Sequence, residues 1–348
     1  MIHLLVLLAL VFASGCRGPE HISPMDPMNP DNSIGFISVA EAKGKIWFGT
    51  TGGGILSFDG RSWKSYTTED GLPGNWVFDV EPFGDELWLV IRDEGFPPLP
   101  QYYPEMMRKE VYKFSPHKGS VKGYEAPEPV LYLRGGDGNL FAMTRRYLGI
   151  YDPSSDEIGW IPVPSENGVM GSFWDEEGLW LIGVAIDGSM WEILNFDPSS
   201  QSWRSWKAKP PSTYHLGYEV ALARDGGMIW VGAADGMLTA IDISSIPYEG
   251  AKTIELLPVP TIYSSLMKAD ILLDEERLWF CSSEGGIYLF PKGREGIGKS
   301  YNWVLKELPG SYPLCIHKSG KWLWIGTSKG SIRLDAEEGK AEVFRYPI

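Results

Sequence analysis

A tryptophan-centred segment returns along this chain at intervals that a helical bundle or a single sheet would not need. KIWFGT surrounds Trp47, ELWLV Trp88, GLWLIG Trp180, IWVGA Trp230, LWFCS Trp279 and LWIGT Trp324, while NLFAM puts Phe141 in the remaining place. Successive anchors lie 41, 53, 39, 50, 49 and 45 residues apart. A period in the forties, made of short apolar runs between turn residues, predicts an all-β propeller with one blade per repeat. No stretch between the anchors has the length and 3.6-residue periodicity of a helix.

The first repeat reads as four strands: about 34–41, Lys45–Thr50, Gly54–Phe58 and Ser62–Thr67, the last two joined through Asp59-Gly60. The last repeat has the same order, Pro313–Lys318, Trp322–Gly326, Ser331–Leu334 and Ala341–Tyr346. Along IWFG, Ile46 and Phe48 face one way and Trp47 and Gly49 the other, so neither face suits water. A blade sandwiched between two others satisfies that pattern, with tryptophan in the wide outer gap and glycine permitting close approach near the axis. Seven four-stranded blades over residues 34–348 are expected, closed by blade one packing face to face on blade seven.

The repeat resembles that of the two-component regulator propeller family. The residues that carry the likeness are Trp47-Phe48-Gly49-Thr50, Gly53-Gly54-Ile55, Phe58-Asp59-Gly60, Trp63, Tyr66, Glu69-Asp70-Gly71-Leu72-Pro73, Asn75 and Val77. Trp324-Ile325-Gly326-Thr327 and Gly330-Ser331-Ile332 repeat part of it. The resemblance implies a propeller of the kind that forms the periplasmic sensing part of membrane histidine kinases. Residues 34–346 carry no kinase segment, so sensing is expected here only as an accessory role.

The first residues differ in kind. Ile2 to Phe12 is almost wholly apolar and too short to span a bilayer, which reads as the core of a signal peptide over residues 1–15. Ala13-Ser14-Gly15-Cys16 resembles a bacterial lipoprotein processing site, implying lipidation of Cys16 and an anchor in the membrane. Residues 16–33, with four prolines, then form an extended spacer. The expected location is extracytoplasmic, in the periplasm or at the cell surface. Cys281 and Cys315 are the other cysteines, each in an apolar run, to be read as buried thiols or as a pair.

With 45 acidic against 31 basic residues, the net charge of −14 argues against nucleic acid as a partner. Binding residues of a propeller tend to lie on loops at one mouth of the ring. The junctions from each fourth strand to the next first strand carry prolines at 73, 127, 164, 211, 260 and 309, and in four an aromatic ring follows: Trp76, Tyr214, Tyr263 and Tyr312. These rings either plug the inner end of the next blade or line the mouth. His215, Glu166 and Asn167 are the polar candidates beside them. Residues 92–110 enlarge the second repeat and bring Tyr102, Tyr103, Met106 and Met107, as a lid, a protein contact or packing on the blade edge.

The function expected is non-catalytic recognition of a glycan, a peptide or an envelope protein. No Ser-His-Asp set, phosphate-cradling loop, paired-carboxylate motif or metal-ligand spacing is present, so no cofactor or metal is expected. One alternative is an enzyme of lyase or hydrolytic type: Ile-Trp-Phe-Gly is similar to the Ile-Trp-Phe-Thr repeat of the propeller lyase that opens streptogramins, and His215 with Glu166 would then serve. A purely structural scaffold is the second alternative.

Overall fold

Lys43 and Gly44 both adopt left-handed backbone, as do Asp137 and Gly138. Two residues with positive φ close a tight antiparallel hairpin whose twist matches its strands, and the chain folds by repeating that device. The computed structural model describes residues 33–92, 108–185, 190–209, 220–244, 252–254, 268–274, 277–291 and 298–346.

Within them lie seven antiparallel sheets, each of four strands in chain order. Blade one is β1 (Phe36–Ala42), β2 (Lys45–Thr50), β3 (Ile55–Phe58) and β4 (Trp63–Tyr66). Blade two is β5 (Trp76–Phe83), β6 (Glu86–Arg92), β7 (Glu110–Ser115) and β8 (Ser120–Glu125). Blade three is β9 (Tyr132–Gly136), β10 (Asn139–Met143), β11 (Tyr147–Asp152) and β12 (Glu157–Pro162). Blade four is β13 (Gly168–Asp175), β14 (Gly178–Val184), β15 (Trp191–Asp197) and β16 (Ser202–Ala208). Blade five is β17 (Val220–Asp225), β18 (Met228–Ala233), β19 (Leu238–Asp242) and β20 (Lys252–Ile254). Blade six is β21 (Ala269–Leu273), β22 (Arg277–Ser282), β23 (Gly286–Pro291) and β24 (Lys299–Ser300). Blade seven is β25 (Pro313–Ser319), β26 (Trp322–Thr327), β27 (Gly330–Asp335) and β28 (Lys340–Phe344). The fold is a seven-bladed β-propeller.

The core is divided into seven parts, one for each seam between blades. Trp47 packs with Val80, Leu87 and Leu89 of blade two, and Trp180 with Val220, Ile229 and Val231 of blade five. Trp279 meets Ile316 and Ile325 of blade seven, and Trp230 meets Leu278 and Phe280 of blade six. Every anchor, Phe141 included, therefore faces the following blade. Most also lie against a ring from the outer edge of their own sheet: Trp47 on Tyr66 at 5.9 Å, Trp180 on Trp206 at 5.5 Å and Trp324 on Phe344 at 5.7 Å between centroids. Two large rings fill the wedge where blades splay apart. Nearer the axis the wedge closes: a β-carbon on Gly49 would run into the carbonyl oxygen of Val77, and one on Gly326 into that of Phe36.

Closure comes at the seam between blades seven and one, where Trp324 packs with Phe36, Phe48 and Phe58. Among the described residues no strand crosses from one terminus into the other's sheet. Several strand ends differ from the sequence reading by one or two residues, and two of them have a visible cause. β4 stops at Tyr66 because Thr67 turns to cap a short helical turn, its side chain accepting from the Glu69 N–H while the Asp70 carboxylate accepts from Thr67 N–H. β28 stops at Phe344 because Arg345 leaves the ladder to donate to the Glu307 carbonyl, 2.7 Å away.

Cys281 and Cys315 are free thiols, both buried. Cys281 packs between blades six and seven, whereas the Cys315 sulfur points to the Phe36 carbonyl of blade one. The intervening sheet separates their directions. No helix of the described residues is long and apolar enough to cross a membrane; Ile2 to Phe12 and Cys16 lie outside those residues.

Candidate functional site

Antiparallel order places the connections between first and second strands, and between third and fourth, at one end of the ring. The other two kinds of connection share the opposite end. At the first end six of the seven inner hairpins turn in two residues, as at 43–44, 84–85 and 137–138, and the longest connections are 243–251 and 292–298. The opposite end carries the excursions, at 93–109 between β6 and β7, 209–219 between β16 and β17, 255–268 between β20 and β21 and 301–312 between β24 and β25. Among the described residues the two exposed large apolar side chains, Met190 and Trp303, both sit in connections at that end.

The predicted site residues divide. Trp76 opens β5 and Tyr312 immediately precedes β25, and both rings are buried in one cluster with Ile37, Phe78 and Leu314. They join the inner strands of blades one, two and seven rather than standing in the mouth. Glu166 is exposed, and the Asn167 N–H donates to Ser165 Oγ at 3.0 Å in the turn before β13. Asn75 holds its own turn, its side-chain oxygen accepting from the Thr68 N–H at 2.8 Å. Tyr214, His215, Tyr263, Tyr102, Tyr103, Met106 and Met107 lie outside the described residues. At the base of the second-blade insertion, the Arg92 guanidinium covers the Phe78 ring at 3.2 Å.

The sequence reading named none of the charged residues that line the channel wall. The seven inner strands enclose about 520 Å³ around the axis, and this wall is unexpectedly charged. The Asp79 carboxylate accepts from the Leu133 N–H at 2.9 Å and pairs with Arg134 at 3.4 Å, tying blade two to blade three. Arg134 in turn donates to the Ser172 carbonyl of blade four at 3.1 Å. Asp270 accepts from the Ile316 N–H at 3.0 Å across the sixth seam, and Lys268 Nζ donates to the Ile37 carbonyl at 2.6 Å. These charges satisfy inner-edge backbone groups that no sheet neighbour reaches.

Burial dominates the protonation of this wall. Glu81 lies against Gly135, and desolvation pushes its carboxyl up to about 8 despite the opposing pull of Arg134. Protein crowds it on nearly every side even though part of its surface faces the channel. Asp270 is also raised by burial, with the Ile316 N–H and Lys268 opposing. His317 is lowered by burial, against the attraction of Glu41, whose carboxylate lies 3.7 Å from Nε2. At neutral pH the Glu81 carboxyl therefore keeps its proton and His317 is an uncharged imidazole. Isolated charged residues in apolar inner strands, such as VFDVE and LYLRG, were the available signal. Among the described residues no group of three or more His, Cys, Asp or Glu side chains is arranged to hold a metal ion.

No family model matches the chain, and no curated protein matches it. Among solved structures it is similar to the computationally designed protein Ika8, at 12% identity and a TM-score of 0.54, over 90% of this chain and 87% of that one. At that identity the likeness concerns the fold alone.

Proposed function

We propose that this propeller is a non-catalytic recognition protein of the cell envelope, which binds a glycan, a peptide or an envelope protein through the end that carries its long connections. The observation that supports this reading is the asymmetry of the ring: connections of two to nine residues at one end, against four connections of 11 to 17 residues and the exposed Met190 and Trp303 at the other. Loops on a rigid ring can vary without disturbing the sheets, so the end with the long connections is the one free to be shaped for a partner. The net charge of −14 disfavours nucleic acid and strongly anionic partners. The repeat's likeness to two-component regulator propellers supports sensing as the context. Cys16 would supply the lipid anchor, with residues 17–33 as the tether.

The test is co-sedimentation of the purified chain with isolated cell envelopes. Replacing 93–109 by a short Gly-Ser link and changing Met190 and Trp303 to Ser should reduce binding at least about tenfold, a loss of about 1.4 kcal/mol. Substitutions in the hairpins at 43–44 and 137–138 should leave it unchanged. The reverse pattern would sink the assignment of the face.

A further inference from the structure

The seams are not equally filled at the short-hairpin end. Between blades two and three, Asp156 occupies the outer wedge, bonded to Lys113, Lys122, Tyr124 and Tyr151. Between blades one and two the corresponding gap is about 130 Å³, narrowed by the Lys43–Asp85 ion pair. Between blades four and five a groove of about 630 Å³ remains. Its cause is legible locally: the hairpin of blade five is Gly226-Gly227, which offers no side chain to fill the space.

The groove is furnished with fixed groups. Its aromatic wall is Trp180 against Trp206 at 5.5 Å, with Phe173 backing the buried Trp180 from the channel side at 6.0 Å; Trp206 is only partly buried. Arg224 lies over Trp180 and is locked by Asp175 at 2.5 Å, Glu177 at 2.8 Å and the Gly226 carbonyl at 2.9 Å. Arg204 lies over Trp206, held by Asn195 at 2.6 Å and by Glu177 at 3.4 Å. Half of the Arg204 side chain and 43% of the Glu177 side chain nevertheless remain exposed. A volume of this size, a rigid ring and a few immobilised polar groups are what a small-ligand site requires.

We propose that this groove binds a neutral pyranose, whose apolar ring face stacks on Trp206 while its hydroxyls bond to the Glu177 carboxylate and the Arg204 guanidinium. A flat apolar ring face beside polar hydroxyls is the shape that an aromatic platform with an adjacent donor–acceptor pair accepts. Charge selects the neutral class. Asp175, Glu176, Glu177 and Asp225 outnumber Arg204 and Arg224 around the groove, which disfavours uronic and sialic acids. The interlocking bonds remove the ordering cost that flexible Arg and Glu side chains would otherwise impose on binding. The site is at the opposite end of the ring from the recognition face and stands independently of it.

The test is isothermal titration of the full chain with cellobiose, with N,N′-diacetylchitobiose and with glucuronate. Saturable binding of at least one disaccharide is expected, with no binding of glucuronate. Trp206→Ala and, separately, Arg204→Met should each weaken it at least about tenfold, with the fold of each variant checked by its melting curve. Met190→Ser with Trp303→Ser should leave sugar binding untouched. Absence of binding by both disaccharides, equal binding of glucuronate, or unchanged affinity in folded Arg204→Met would overturn the proposal.

Discussion

The thiol of Cys315, on the inner strand of blade seven, donates to the carbonyl oxygen of Phe36 on the inner strand of blade one, 3.6 Å away. The two residues are separated by most of the ring in sequence and meet where it closes. Burial pushes the Cys315 thiol up to about 12, and the Cys281 thiol is raised well above its ordinary value by the same cause. Neither is therefore nucleophilic in the native protein. A water-soluble disulfide reagent at pH 8 should modify both only as fast as the protein unfolds, and modification of either within minutes under native conditions would contradict their placement.

Trp324 carries the closing seam, with Phe48 at 5.9 Å and Phe58 at 5.5 Å from its ring. Trp324→Ala should cost about 3–5 kcal/mol as a large-to-small core change, read from a denaturant melt. A loss below about 1 kcal/mol would mean that closure rests elsewhere.

Glu81 supplies a pH signature of known sign. Its folded carboxyl titrates near 8 rather than at the ordinary 4.5, so between those values the folded protein keeps a proton that the unfolded chain has released. Its contribution to stability is fully present below about 4.5 and declines as pH rises towards 8. Glu81→Gln, which stays neutral, should match wild type at pH 4 and melt at least about 3 °C higher at pH 8.5. A difference that does not change with pH would remove the buried carboxyl from the explanation.

Asp156 has the opposite sign. Lys113, Lys122, Tyr124 and Tyr151 hold its carboxyl well below the usual carboxylate range. Its stabilisation is present above about pH 3.9, the unfolded value, and is lost progressively on acidification. The side chain is 41% exposed, so screening reduces the cost of Asp156→Asn at pH 7 to on the order of 1 kcal/mol. Chemical melts at pH 7 and pH 2.5 should show that cost shrinking in acid.

Localisation has its own measurement. Metabolic labelling with a radioactive fatty acid should mark the wild-type chain and not Cys16→Ser. Equal labelling of both, or of neither, would remove the anchor.

Blade boundaries were readable because the signals are local. Trp47 and Gly49 alternate with Ile46 and Phe48 on one strand, and the Lys43-Gly44 and Asp59-Gly60 turns lie within two residues of the strands that they join. The rings at the strand entrances were harder. Trp76 is the first residue of β5 and Tyr312 immediately precedes β25, where period-two alternation has no preceding strand residue to fix the face, and both turn into one buried cluster with Ile37, Phe78 and Leu314. The channel wall was illegible because its pairs are distant: Asp79 meets Arg134 from the next blade, and Asp270 meets Ile316 across the sixth seam. The groove beside Trp206 depends on the absence of side chains at Gly226 and Gly227, which acquires meaning only when blade four is beside them.

Amide hydrogen exchange of the chain, free and bound to isolated envelopes, tests the central claim most directly. Protection on binding is expected in the connections around Met190 and Trp303 and in residues 93–109, with the two-residue hairpins at 43–44, 84–85 and 137–138 unchanged. Protection confined to those hairpins, or spread evenly around the ring, would contradict recognition through the long-loop end.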